Sequence, residues 1–453
     1  MDKSLCSVGL DVGTTTTQMV VSRLQLQNCA SGFAVPQMQI VSRQILYQSP
    51  VHLTPLKSQK LVDGQALRQL VRQEYENAGI TPRQVDTGAV IITGETSRKE
   101  NAKEVLSALS QYAGDFVVAT AGPHLESVLA AKGAGATELS QKTGRPVLHM
   151  DIGGGTANLA LLRDGQILAT GCMNVGGRLV KTENGKVTYV SPAVAELTEI
   201  QVEDATDERL DALCEKLAQG LEMAAGLRPA TALLRQLWTE EAGAVWDIPQ
   251  EACILSFSGG VADCIETQQP DDAFGDIGVR LGKAIRNSRL CQGKFVLGKQ
   301  TIRATVIGAG SYATTLSGST VYCRDVALPL KNLPVIKLSR QQQESEDLAQ
   351  LVKDRLRQLD TDRAVLALPG YQEASYARLS ALAQRLATLP PPLLLCLETD
   401  MAKALGQCLQ LRLPRDAAVL CIDGIVLQEQ SFLDVAQPVG PCFPVVVKTL
   451  VLG

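Results

Sequence analysis

Two aspartates, each followed by a glycine- or threonine-rich turn, are the positions best equipped for chemistry. Asp151 opens Asp151-Ile152-Gly153-Gly154-Gly155-Thr156-Ala157-Asn158, between apolar runs at 146–150 and 159–162. Length and composition make both flanks buried strands, and Asp164-Gly165 signals a further hairpin turn. The glycines therefore join antiparallel strands. A dinucleotide fingerprint or a Walker loop would need a helix to follow instead. Three successive residues without side chains let backbone N–H groups approach an anion closely. A carboxylate at the strand end can hold a hydrated Mg²⁺ against that anion.

Near the N-terminus the pattern recurs as Asp11-Val12-Gly13-Thr14-Thr15-Thr16-Thr17, between apolar segments 7–10 and 18–21. The two copies stand roughly 140 positions apart, which suggests related half-domains facing each other across a cleft. The threonines add hydroxyl donors suited to phosphate oxygens. An ordinary hairpin with a polar tip explains one copy well and two copies poorly. A carboxylate on a buried strand end is costly unless it is hydrated, paired or metal-bound. Asp11 and Asp151 are accordingly the leading candidates for a metal-assisted site.

These two motifs resemble the phosphate motifs of the actin-like ATPase superfamily. Ser256-Phe257-Ser258-Gly259-Gly260-Val261 resembles its adenosine motif, and Val306-Ile307-Gly308-Ala309-Gly310 its later connecting motif. A closer resemblance is to the ethanolamine ammonia-lyase reactivating factors. It rests on Thr93-Gly94-Glu95-Thr96-Ser97-Arg98-Lys99-Glu100-Asn101, on the wording around both aspartates, and on Pro444-Val445-Val446-Val447-Lys448-Thr449-Leu450. The resemblance implies an α/β protein with a duplicated actin-like, ribonuclease H-like ATPase fold and an extra C-terminal α/β unit. It places one lobe in 1–138, a second in 139–320 and the additional domain in 321–453.

It further implies an ATPase that uses ATP and Mg²⁺. Asp11 and Asp151 would be catalytic and metal-binding. Gly13, Thr14, Thr15 and Thr16, with Gly153, Gly154, Gly155 and Thr156, would contact phosphates. Glu95 would reach an attacking water or a Mg²⁺ ligand, or else complement the dipole of the helix behind it. Gly259, Gly260, Gly308 and Gly310 would line the adenosine site, with purely structural glycines as the rival reading. The turn Asn174-Val175-Gly176-Gly177-Arg178 lies near the phosphates in the superfamily, but a plain surface turn is the preferred reading. Asn158 could simply cap its turn.

The implied function is ATP-dependent reactivation of ethanolamine ammonia-lyase, in which inactive cobalamin leaves and adenosylcobalamin enters. The lyase is the implied protein partner. The implied setting is the cytoplasm, with a bacterial microcompartment as an associated location. A small-molecule kinase on the same fold and a filament-forming scaffold stay as alternatives. A kinase would need a carboxylate base on its substrate, and none can be assigned. The C-terminal unit could dock the lyase, form a homodimer or buttress the core.

Composition narrows the field further. At 453 residues the chain is long enough for about three domains. Apolar residues make up 45% and charged residues 20%, so substantial cores can be buried. A net charge of −4 with 4% aromatics offers no footprint for nucleic acid. No apolar run approaches the ~18 residues of a membrane span, and the first residues lack a signal peptide's apolar region. Of the 12 cysteines, none sit at metal-ligand spacing, and many lie in apolar segments as reduced core residues. His52, His124 and His149 have no ligand-spaced partners. His149 shares a strand face with Asp151, which favours core filling or support of the aspartate over acid–base work.

The elements that must position these residues follow from periodicity. Strands are expected at 5–10, 18–24, 38–47, 89–92, 116–119, 253–257 and 304–307. Helices are expected at 98–112, 125–131, 203–220 and 277–290, with one running from an Asp63 N-cap to about 76. Beyond about 320, strands at 364–368, 393–397 and 418–422 alternate with helices at 371–386 and 401–408. That rhythm reads as a compact three-strand α/β unit, followed by short β segments separated by Pro438 and Pro444.

Overall fold

The computed structural model describes residues 3–13, 16–29, 38–58, 61–92, 101, 105, 109, 118–120, 123–198, 200–202, 205–239, 253–298, 301–312, 314–318, 320–359, 361–429 and 431–449. The first sheet contains β1 (Lys3–Val12), β2 (Thr16–Asn28), β3 (Met38–Gln48) and β4 (His52–Leu53). After a small hairpin of β5 (Leu56–Ser58) and β6 (Leu61–Val62), it adds β7 (Thr87–Ile92) and β8 (Val118–Thr120). Its order is β3-β2-β1-β7-β8, with β4 paired to β2. The first three strands form an antiparallel meander, and β7 and β8 continue parallel to β1.

The second sheet repeats this plan. It comprises β9 (Val147–Ile152), β10 (Ala157–Arg163) and β11 (Gln166–Met173), then β14 (Ile254–Ser258) and β15 (Phe295–Leu297). A hairpin of β12 (Val180–Glu183) and β13 (Lys186–Val190) stands apart from it. The order β11-β10-β9-β14-β15, with the same directions, matches the first sheet strand for strand. This duplication is the actin-like, ribonuclease H-like arrangement.

The helices around the sheets follow local rules. Asp63 caps the helix Gly64–Asn77, accepting from the amides of Gln65 and Ala66. That helix buries Leu67, Val71 and Tyr75 against the first sheet. The helix Asp207–Ala224 starts at a Thr206 cap and sets Leu210, Leu213, Leu217 and Leu221 into the core of the second lobe. The helix expected at 277–290 runs Gly278–Asn287. Most of the helix expected at 98–112 lies outside the described residues.

Two further helices cross between the lobes. Pro123–Gly133 follows β8 of the first sheet but packs on β9, β10 and β11 of the second. Ala304–Tyr312 follows β15 of the second sheet but packs on β1, β2 and β7 of the first. The latter corrects the strand expected at 304–307. Thr305-Val306-Ile307 is β-branched and reads as strand, yet close packing on glycines decides otherwise. A Cβ on Gly9 of β1 would collide with the Val306 carbonyl, and one on Gly310 would stand 2.8 Å from the Gly9 nitrogen. At both contacts the helix lays its backbone on the backbone of the strand.

The C-terminal part contains β16 (Thr314–Leu316), β17 (Tyr322–Arg324), β18 (Leu330–Lys337), β19 (Val365–Leu368), β20 (Leu393–Leu397), β21 (Val419–Asp423), β22 (Ser431–Val435) and β23 (Pro444–Thr449). The expected strands are β19, β20 and β21, which follow β18 in one parallel succession, each paired to the next. Among the described residues they belong to an eight-stranded sheet, β16-β23-β22-β18-β19-β20-β21-β17, rather than a three-stranded unit. The short β segments expected in the tail are β22 and β23, whereas β16, β17 and β18 are not apparent in the sequence, because their partners lie far along the chain. Helices Leu348–Gln358, Tyr376–Leu386 and Ala402–Gln410 bury one face, while Ile425, Leu427 and the last two strands bury the other.

Candidate nucleotide site

The two acidic turns are built alike. In each, the amide two residues after the aspartate donates to the carbonyl five residues after it: Gly13 N to Thr16 O at 2.9 Å, and Gly153 N to Thr156 O at 2.9 Å. Each aspartate also faces an amide side chain across its hairpin, Gln18 opposite Asp11 and Asn158 opposite Asp151. Directly opposed residues of an antiparallel pair project to the same face. The chemical face of each lobe therefore carries an acid and an amide side by side.

Asp151 is buried, and a hydroxyl meets each of its carboxylate oxygens. Ser258 of β14 donates to Oδ1, and Thr305 at the start of the helix Ala304–Tyr312 donates to Oδ2 at 3.3 Å. Burial raises its pKa to about 6, and the two hydroxyls oppose that rise. His149, fully buried two residues before it on β9, has its pKa lowered to about 3 by burial and is neutral. His149 contacts Ser256 and Ser258 of the neighbouring strand.

The first residues of the helix Ala304–Tyr312 and the turn before it bind both lobes. Gln18 Nε2 donates to Ile302 O at 3.2 Å, beside Asp11, while Thr305 holds Asp151. Arg303 Nη2 donates to Ser49 O at 3.0 Å, and Gly259 N donates to Thr301 O at 3.0 Å. One five-residue stretch, 301–305, therefore joins the two acidic turns to the Gly259-Gly260 turn. Asp11 is only part-buried.

Around the first turn, Thr54 Oγ1 donates to Gly13 O at 2.8 Å and shares a 3.1 Å hydrogen bond with Thr17. Thr14 and Thr15 lie outside the described residues, as do Glu95 and its neighbours 93–100. They begin immediately after β7 ends at Ile92, beside Val12 in the parallel register.

Around the second turn, Gly155 has nothing within 4 Å of where a Cβ would stand. Gly154 rests against the stem of Arg178. Gly177 N and Arg178 N donate to the carbonyls of Gly153 and Gly154, at 3.1 and 2.6 Å. The turn 174–178 is therefore no plain surface turn. Gly176 and Gly177 are buried, because a Cβ on Gly176 would collide with the Gly154 carbonyl. Arg178 is held by Asp276 at 3.2 Å, whose second oxygen accepts from Gly278 N. Burial raises the Asp276 pKa, and Gly278 and Arg178 oppose the rise.

The four glycines assigned to the adenosine site divide. Gly260 has only the tip of Ile302 nearby, at 3.9 Å, so its face is open. Gly259 takes φ +87° with its missing Cβ directed at the Ile152 carbonyl, so this turn requires glycine on backbone grounds alone. The paired glycines lead into a single 3₁₀ turn, Ala262–Cys264, rather than directly into an α-helix. Gly308 and Gly310 face Leu129 and Gly9 respectively, so protein backbone fills the space their missing side chains leave. For these two, the structural role is the one the contacts display.

Several site residues were not legible beforehand. Thr305 falls in a segment that reads as strand, and Ser258 stands out in the sequence only as part of the adenosine motif. Glu126, buried on the first crossing helix, accepts from Asn158 Nδ2 at 2.7 Å, which gives Asn158 more than a turn-capping role. Gln18 Oε1 and Asn158 Oδ1 are buried without a hydrogen-bond partner. The signal available was position alone: each residue stands seven after its aspartate.

Two acids, two unsatisfied amide oxygens and open glycine faces suit a hydrated cation bridging to phosphate. Among the described residues, no three His, Cys, Asp or Glu side chains group as a metal cage. Also among the described residues, no helix is long and apolar enough to cross a membrane.

The model of the ethanolamine utilisation protein EutA family matches residues 3–453. The ethanolamine ammonia-lyase reactivase EutA of Salmonella typhimurium is 41% identical, covering 99% of this chain and 98% of its own. Its Escherichia coli namesake is 40% identical over the same shares. Among solved structures, the Aquifex aeolicus PPX-GPPA enzyme is similar over 68% of this chain and 99% of its own, at 11% identity and TM-score 0.42. A family match over almost the whole length, joined to two such relatives, leads to one conclusion: this chain belongs to the EutA family of ethanolamine utilisation proteins.

Proposed function

We propose that this protein is an ATPase that reactivates adenosylcobalamin-dependent ethanolamine ammonia-lyase, exchanging damaged cobalamin for intact coenzyme. The observation that carries the reading is family membership over the full length, at about 40% identity to two curated reactivases. The duplicated acidic turns supply a site for the nucleotide. Asp11 and Asp151 would hold Mg²⁺ through its waters, and the metal when bound neutralises phosphate charge. Amides of the two turns other than those of Gly13 and Gly153, which close the turns themselves, bind phosphate oxygens, with Gly155 leaving the backbone bare for close approach. Gly260 offers an open face to the base.

The stretch 301–305 gives nucleotide state a route to the rest of the molecule. Its contacts to Gln18 and Asp151 tie the two acidic turns to one another. A ligand that favours this connection favours the matching arrangement of the crossing helices and of the C-terminal sheet that follows them. Linkage requires the lyase to bind the ATP and ADP states with different affinity.

The test is ATP hydrolysis by the purified protein, with and without lyase inactivated on its cobalamin. Added lyase should stimulate hydrolysis. Asp11→Asn and Asp151→Asn should each lower it by about 10² or more while the fold persists. Parental hydrolysis in both variants would remove the site assignment. Phosphate transferred to a small metabolite would favour the kinase alternative.

A further inference from the structure

Behind Asp151 runs a line of four buried side chains that alternates between β14 and β9: Ser256, His149, Ser258 and Asp151. Ser256 is 2% exposed, His149 and Ser258 0%, and Asp151 8%. The parallel register sets Ser256 beside His149 and Ser258 beside Asp151. Ser256 Oγ lies 3.1 Å from His149 Nδ1, His149 Nε2 lies 2.9 Å from Ser258 Oγ, and Ser258 Oγ meets Asp151 Oδ1.

Counting hydrogens gives this line a direction. An ionised carboxylate only accepts, so the single hydroxyl hydrogen of Ser258 goes to Asp151. Ser258 can then meet His149 only as an acceptor, which puts the imidazole hydrogen on Nε2. A neutral imidazole carries one N–H, so Nδ1 is bare and accepts from Ser256. The opposite tautomer would force Ser258 to donate to His149 and leave two acceptors facing each other at Asp151. Inside a core, such an unmade hydrogen bond is expensive.

We propose that His149 is a positioning residue of the nucleotide site: its Nε2–H fixes the Ser258 hydroxyl on Asp151 Oδ1, leaving Oδ2 to Thr305 and the crossing helix. This rests on reading Asp151 as part of the nucleotide site. A histidine that only filled the core would be replaceable by an apolar residue of similar size, since a dry position favours one. A positioning histidine would not be.

Two measurements decide it. The chain has three histidines, so long-range ¹H–¹⁵N spectra of the full-length, nucleotide-free protein near neutral pH can be assigned using His149→Gln. The expected result is the Nε2–H tautomer; an Nδ1–H tautomer overturns the proposal whatever the activity. In Mg²⁺-ATPase assays, His149→Leu should lower kcat about tenfold with KM for ATP changed less than about threefold, as expected when an oriented donor is lost. His149→Gln, which keeps an N–H near the Nε2 position, should recover most of the loss.

The double variant His149→Leu/Ser258→Ala should be no slower than Ser258→Ala alone, because one residue acts through the other. Parental kcat in His149→Leu, beside an inactive Asp151→Asn, overturns the proposal. An active Asp151→Asn instead removes the nucleotide-site reading, and the tautomer still reports on His149. Should His149→Leu fail to fold, Ser258→Ala with parental kcat overturns the proposal in its place.

Discussion

Gly133 and Gly308 meet backbone to backbone where the two crossing helices intersect. A Cβ on Gly133 would stand 2.8 Å from the Gly308 nitrogen, and one on Gly308 would collide with the Leu129 carbonyl. The helix that leaves the first lobe covers the second lobe's sheet, and the helix that leaves the second covers the first's. The lobes thus exchange covers where these glycines let the two helices touch.

Gly308→Ala should therefore lower stability by about 1–3 kcal/mol, the usual range for overpacking. Gly133→Ala should do at least as much, since its Cβ would strike the Ala304 carbonyl. Urea denaturation measures both. A Gly308→Ala protein as stable as its parent would mean that the helices part easily.

Stability and turnover should move in opposite directions with pH at Asp151. Its folded pKa, about 6, lies above the ordinary 3.8 because burial disfavours the charge, although Ser258 and Thr305 oppose this. The folded state then binds more protons than the unfolded state between those values. Its contribution is fully present below pH 3.8 and is lost as pH rises through about 6, a loss of about 3 kcal/mol. Turnover that needs the ionised carboxylate should instead fall about tenfold per unit below pH 6. Denaturation and rate profiles across pH 4–8 check both, and Asp151→Asn should flatten the stability trend.

Gly155 and Gly259 separate chemistry from folding. Gly155 has open space where a Cβ would stand, so Gly155→Ala should keep stability within about 1 kcal/mol. It should nonetheless weaken nucleotide binding by about tenfold, because the methyl group occupies the face offered to phosphate. Gly259→Ala should cost about 3 kcal/mol or more, from both the strained φ and the Ile152 carbonyl. Fluorescent-nucleotide titration alongside thermal melting distinguishes the two, and unchanged affinity in Gly155→Ala would count against phosphate at that turn.

Asp63 accepts two amide hydrogen bonds at the start of the helix Gly64–Asn77. Asp63→Ala should lower stability by about 1 kcal/mol, and Asp63→Asn by much less, since Asn also caps well. Both follow from chemical denaturation, with nucleotide hydrolysis unaffected.

Much of this was written locally in the chain. The hairpins around Asp11 and Asp151 are fixed by apolar runs on either side of residues that favour turns, so both were legible, as was the helix capped by Asp63. The repeat of Asp-x-Gly at matching places announced the duplication, because each half must bury the same face. The C-terminal strands β19, β20 and β21 were equally plain, being short uniform apolar runs between helical patterns.

Other features depended on partners distant in sequence. Thr305-Val306-Ile307 has the composition of a strand, and only Gly9, Leu129 and Gly133 make it helical by accepting a bare backbone against their own. The burial of Gly176 and Gly177 needed the Gly153-Gly154 turn beneath them. That Asp151 takes one hydroxyl from Ser258 and another from Thr305 could not be read from spacing, since those residues lie 107 and 154 positions away. Periodicity reports the face a residue presents; which group comes to meet that face is settled when the lobes pack and their crossing helices exchange.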